Sequence, residues 1–147
     1  MITEQLITSF FAASAFGVLF NAPKKSLIQC GVVGMLGWLV YTLLVYEGID
    51  AVPATVAAAV LVSILSQLCA RIFKTPIIIF NVSGIIPLVP GGLAYDAMRN
   101  FVENDYNLAI QFAAKALLIS GAIALGLVFS EIVNQVIRKL AWKRSLR

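Results

Sequence analysis

Residues 84–92 read Gly84-Ile85-Ile86-Pro87-Leu88-Val89-Pro90-Gly91-Gly92 and close an apolar run that begins at Pro76. Proline has no amide hydrogen to give a helix, and its ring clashes with the preceding turn. Glycine admits backbone angles that other residues avoid. A helix starting at Pro76 is therefore expected to end or kink near Ile86–Pro90. From Pro76 to Pro90 such a helix spans about 22 Å at 1.5 Å per residue. That is short of the roughly 30 Å hydrocarbon core of a bilayer.

The surroundings explain why a bilayer is at issue. The chain has 147 residues, 61% of them hydrophobic and 12% charged, with a mean hydropathy of +0.94. Ordinary globular domains are roughly half apolar and a quarter charged. The composition predicts an all-α integral membrane protein, a single transmembrane domain over residues 1–147. Five apolar runs are candidate spans, at about residues 4–21, 27–46, 52–70, 76–92 and 108–130. The fourth is the broken one.

Charges between these runs alternate in sign. Lys24 and Lys25 follow the first run, Glu47 and Asp50 the second, Arg71 and Lys74 the third. Asp96, Arg99, Glu103 and Asp105 follow the fourth, and Arg138, Lys139, Lys143, Arg144 and Arg147 follow the fifth. The positive-inside rule puts the N-terminus outside and the C-terminus in the cytoplasm, with only Arg99 and Lys115 of the eleven lysines and arginines off the inner side. A re-entrant fourth run would turn the basic C-terminus outward. The pattern therefore predicts that the fourth run crosses.

Several function classes drop out. The net charge of +4 comes from basic residues at the ends of apolar runs, so no nucleic-acid partner is implied. The chain has no histidine, which removes Ser-His and Cys-His catalysis and most zinc sites. Cys30 and Cys69 lie far apart in apolar runs and read as small buried residues. No acid pair or nucleophile–base pair lies within a span, so no enzyme, metal or cofactor is expected. Ala13-Ser14-Ala15 resembles a signal cleavage site, but Glu4 is the only early charge, so the first run is read as a mature helix.

The break supplies the candidate site. Backbone groups freed at Pro87, Pro90, Gly91 and Gly92 cannot face lipid, where each costs several kcal/mol. They are expected to face protein or a wet cavity, as discontinuous helices do in many transporters. Asn81 and Ser83, with Gly84, lie inside the same apolar run. The alternative is a plain proline kink whose polar side chains bond back to the helix. Asn107, Gln111 and Lys115 are spaced by four and form one polar stripe, continued by the small residues Ala122 and Gly126. Lys115 either faces the pathway or snorkels to the headgroups. Small residues at Ser9, Ala13 and Gly17, and at Gly31, Gly34 and Gly37, point to close helix packing. The substrate-binding candidates are thus Asn81, Ser83, Gly84, Pro87, Pro90, Gly91, Gly92, Gln111 and Lys115.

The run Val82-Ser83-Gly84-Ile85-Ile86-Pro87-Leu88-Val89-Pro90-Gly91-Gly92, followed by Tyr95, resembles the signature of the threonine/serine exporter (ThrE-type) family. More narrowly it resembles the small YjjB-like membrane subunit, and the likeness in length and layout covers essentially the whole chain. The resemblance implies export of threonine and serine, or of a dicarboxylate such as succinate, across the bacterial inner membrane. It also implies a larger YjjP-like partner subunit, and it brings no assigned binding residues. Five helices are few to enclose a gated pathway, so a partner or a homo-oligomer is expected. No phosphate-binding loop (GxxxxGK[ST]) is present to use ATP, which points to secondary transport. Asp96 or Glu131 could relay protons or simply sit solvated at the interfaces. A non-transporting assembly or regulatory membrane protein is the alternative function.

Overall fold

The computed structural model describes the backbone of residues 2–145 and the side chains of residues 2–136. The side chains of Arg138, Lys139, Lys143 and Arg144, and Arg147 altogether, lie outside the described residues. Six α-helices follow one another: α1 (Ile2–Leu19), α2 (Leu27–Tyr46), α3 (Ala51–Phe73), α4 (Ile77–Ile85), α5 (Gly91–Val102) and α6 (Tyr106–Ser145). No strand occurs among the described residues. Helices α1, α2, α3 and α6 are each long and apolar enough to cross a membrane, and the α4–α5 pair, bent by 51°, forms a fifth unit.

The connections are short because strong local signals end each helix. Lys74 takes a left-handed conformation (φ 51°) at the end of α3, and Thr75 N–H reaches back to the Ala70 carbonyl at 3.2 Å. Pro76 then caps α4, the position where a missing amide hydrogen does no harm. At the other end of the bundle, Gly48 turns the chain at φ +87° between α2 and α3. There the Asp50 carboxylate accepts the Ala51 N–H at 2.9 Å, closing an orphan donor of α3.

Small residues set how the helices approach. The buried face of α1 is Ser9, Ala13 and Gly17; Ala13 lies on Gly34 of α2 and Gly17 on Leu27 and Cys30, while Phe10 and Ser14 beside it meet Gly31. A Cβ at Gly31 would clash with Ser14 Oγ, and one at Gly34 would meet Ala13 Cβ at 2.5 Å. In lipid, association rests on such van der Waals contact, since apolar burial gains nothing over lipid tails. Helix α4 runs beside α2, α3 and α1. Its Gly84 lies against Val33 and Val62, and its carbonyl oxygen faces Gly34 and Gly37. The apolar core joins Val33, Ala58, Val62, Leu88, Ile119 and Ile123.

Two contacts fix the direction of α6. Gly126 sits against Ala59 and the backbone of Val56 and Val60, and Arg71 Nη2 donates to Asn134 Oδ1 at 2.7 Å. Residue numbers rise together in both helices, so α6 runs parallel to α3. The chain between them must travel from one end of the bundle to the other. The α4–α5 pair makes that journey, turning by 51° rather than doubling back.

The stretch after Gly92 differs from its expectation as a mere connection. It forms α5, a helix of 12 residues. Leu93 packs toward the core and Ala97 is buried, while Tyr95, Met98 and Arg99 stay exposed. This four-residue spacing presents one apolar side to α6, the main neighbour of α5. Of the polar residues that disguised the helix, Arg99 is exposed off that side, while Asp96 and Asn100 flank Ala97 half-buried. Helix α6 also continues unbroken past Ser130 to Ser145.

Candidate functional site

The break is built in three steps. Helix α4 ends at Ile85, and Ile86–Leu88 tightens into a 3₁₀ turn closed by Val89 N–H on the Ile86 carbonyl at 3.2 Å. Pro90, at φ −79° and ψ 50°, is the centre of an inverse γ-turn in which Gly91 N–H bonds the Val89 carbonyl at 2.8 Å. Helix α5 then opens with Ala94 N–H on the Pro90 carbonyl at 3.1 Å. Pro87 has no amide hydrogen for the carbonyl of Ser83, one turn earlier. The amides of Gly92 and Leu93, in the first turn of α5, have no acceptor within that helix, and no side chain caps it.

The break lies inside the bundle. Leu88 belongs to the central core, and the Pro87 ring stands 3.5 Å from where a Cβ on Gly34 would be. Polar atoms without partners gather along α4 and its neighbours. Ser83 Oγ and Asn81 Oδ1 on α4, Ser66 Oγ on α3 and Trp38 Nε1 on α2 are buried with no hydrogen-bond partner among the described residues. Ser83 and Ser66 are fully buried. The Cys30 thiol makes a long contact to the Ile79 carbonyl, 3.8 Å. An orphaned buried polar group costs about 1–3 kcal/mol, so their concentration here calls for a reason.

Beside Pro87 lies a cavity of about 230 Å³, open to the outside of the bundle and lined by Gln5, Thr8, Ser9 and Ala12 of α1 and by Trp38 of α2. At about 30 Å³ per water in the liquid, that is room for some seven waters. Its hydrogen-bonding character is divided. Thr8 Oγ1 donates to the Glu4 and Gln5 carbonyls at 2.9 and 3.0 Å, and Ser9 Oγ donates to the Leu6 carbonyl at 2.9 Å. Their protons are spent on their own helix, so both hydroxyls offer lone pairs. The indole N–H of Trp38 can only donate, and it is buried in the wall rather than open to the cavity. No charged side chain lines the cavity.

The residues singled out by sequence divide into two places. Asn81, Ser83, Gly84, Pro87 and Pro90 lie in or beside the buried break, whereas Gly91 and Gly92 open α5 at the surface with free space around them. Gln111 and Lys115 are exposed on α6, while Ala122 and Gly126 of the same stripe are buried. The stripe drifts because 3.6 residues per turn does not match a spacing of four. With Gly126 seated on Ala59, Lys115 is about 16 Å up α6 and Ala51 about 12 Å up α3. Lys115 thus comes about one turn beyond the end of α3, a height at which a lysine reaches the headgroups. Gln5, Thr8 and Trp38 were missed. The polar pair Gln5–Thr8 inside an apolar run was a readable signal, but which neighbour it faced was not.

The family model described as Threonine/Serine exporter, ThrE, matches residues 5–133. An uncharacterized protein of Haemophilus influenzae is 33% identical over 91 residues, which is 62% of this chain and 31% of that protein. The matched part is thus under a third of that relative's length. No solved structure matches.

Proposed function

Because the chain belongs to the threonine/serine exporter family, we propose that it is a membrane subunit of a secondary exporter of small carboxylate metabolites. It would work in the bacterial inner membrane, with its N-terminus outside and its C-terminus in the cytoplasm. A larger YjjP-like membrane subunit, or further copies of this chain, would complete the pathway.

One observation carries this reading. The α4–α5 unit breaks within the bundle, next to a cavity, among buried polar atoms without partners. Irregular backbone at membrane depth persists where it lines a wet path or a substrate site. The cavity's chemistry also favours one cargo. Lone pairs from Thr8 and Ser9 suit an ammonium or hydroxyl, and the Trp38 N–H, buried in this state, would suit a carboxylate oxygen once the α4–α5 joint moves. A zwitterionic hydroxy amino acid, threonine or serine, matches both ends. A dicarboxylate such as succinate would turn one charged end toward acceptors and meet no cation there.

In the proposed cycle the α4–α5 joint rocks about Pro87–Gly92. The substrate carboxylate passes from Trp38 to the first-turn amides of α5, whose partial positive charge favours it. Asn81 and Ser83 take over its remaining polar groups as it crosses. Lys115 and Gln111, on the outer surface of α6, would act only across an interface with another subunit.

The test is counterflow of labelled threonine, serine and succinate in liposomes holding this chain with its partner. Uptake of the hydroxy amino acids should exceed that of succinate. Where another subunit packs on this face of α6, Lys115→Ala should abolish export in cells while membrane insertion, read by immunoblot, stays intact; full export would remove Lys115 from the mechanism. Absence of counterflow for all three solutes would favour the alternative, a non-transporting assembly subunit.

A further inference from the structure

A second concavity lies on the opposite side of α3 from the break, and the proposed cycle does not use it. It is a groove of about 300 Å³ between α3 and α6. Its walls are Val60, Ile64 and Leu68 on α3 and Phe129 and Val133 on α6. At one end stand Gln67, Arg71, Ser130 and Asn134. We propose that this groove binds an anionic phospholipid, with an acyl chain along the apolar walls and the phosphate on Arg71.

Four features of the groove argue for that occupant. Both walls belong to helices long and apolar enough to cross a membrane, and Ile64, Leu68, Phe129 and Val133 are exposed at the groove, so the surface faces the bilayer. From Val60 to Arg71 is about 16 Å of helix rise, close to half of the roughly 30 Å hydrocarbon core and therefore to one leaflet. The polar end is rich in donors. Arg71 gives one Nη2 hydrogen to Asn134, which fixes the guanidinium and leaves the rest of its fork for a phosphate. No carboxylate pairs with it among the described residues. Gln67 Nε2 is buried at the same end without an acceptor. Glu131, which follows Ser130 in sequence, is engaged with Gln135 at 3.1 Å and does not line the groove.

Arg71 also lies two residues before the end of α3 and close to Lys74, at the end of the bundle that carries Lys24 and Lys25. Basic pockets between membrane helices at the cytoplasmic side are where anionic headgroups are held. A lipid seated here would bridge α3 and α6 at the end where, among the described residues, the Arg71–Asn134 bond joins their polar side chains.

The experiment uses the full purified chain, delipidated and titrated with phosphatidylglycerol or phosphatidylcholine, and read by native mass spectrometry. Phosphatidylglycerol should be retained preferentially. Arg71→Gln should cut that retention about fivefold, as expected for one basic residue at an anionic surface, and bring it to the phosphatidylcholine level. Arg71→Lys should keep most of it. Ile64→Trp, which fills the apolar part, should lower retention of both lipids. Soluble glycerol phosphate should not displace the lipid. Circular dichroism checks that each variant remains helical. Equal retention of the two lipids, an unchanged Arg71→Gln, displacement by glycerol phosphate, or a protein helix cross-linked into the groove would each overturn the proposal.

Discussion

Gly34→Ala offers the sharpest test of the packing that positions the break. The added Cβ would sit 2.5 Å from Ala13 Cβ, 3.5 Å from Pro87 Cγ and 3.6 Å from the Gly84 carbonyl oxygen. The second and third distances are ordinary contacts. The first is not, and Ala13 Cβ is fixed to its backbone, so no rotamer change relieves it. Helix α1 must retreat from α2 by about 0.9 Å to reach ordinary contact distance. A gap of that size loses a quarter to a half of the dispersion attraction of the contacts it opens. Overpacking of this kind costs about 1–3 kcal/mol, offset by about 1 kcal/mol from replacing a helical glycine with alanine. The expected net change is a loss of about 0–2 kcal/mol, read by unfolding in mixed detergent micelles. The exchange Ala13→Gly with Gly34→Ala moves the methyl group from α1 to α2 and should return stability to within about 0.5 kcal/mol of the parent. Transport should follow stability, because the α1 retreat also shifts the Gln5–Ser9 wall of the cavity. If the two substitutions add without rescue, α1 does not meet α2 at this point and the cavity is misplaced.

Pro87→Ala restores a donor for the Ser83 carbonyl and lets α4 continue. It should raise thermal stability while lowering counterflow severalfold; a variant that transports as well as the parent would show that the break is not needed. Trp38→Phe deletes a buried N–H that has no partner. Stability should hold or rise by about 1 kcal/mol, while the KM for serine rises; an unchanged KM would take the indole out of the site. Ser83→Ala likewise removes an orphaned hydroxyl, so it should be no less stable than the parent in the absence of substrate. A loss above about 1 kcal/mol would mean that a bound water satisfies it.

Much of this architecture was readable because a bilayer leaves few choices. Apolar runs near membrane length, with basic and acidic ends alternating, specify spanning helices whatever their partners. The α2 bounds, Leu27–Tyr46, coincide with the uncharged second run. The small-residue faces of α1 and α2 announced close packing, and they do meet, at Ala13 and Gly34. Pro87 and Pro90 announced the break, because a missing amide hydrogen is a property of the residue itself.

Other features depended on which residues became neighbours. Helix α5 was masked by Asp96, Arg99 and Asn100; only contact with α6 shows that Leu93 and Ala97 form its buried side. Lys115 looked deep when counted from Tyr106, but the seat of Gly126 on Ala59 raises it past the end of α3. The cavity joins Gln5 and Ser9 to Trp38 and Pro87, residues up to 82 positions apart. The sequence by itself determined where backbone hydrogen bonding must fail, since that is local chemistry. Only the tertiary structure decided what faces the failure, since it depends on which helices cross there and how closely their glycines let them approach.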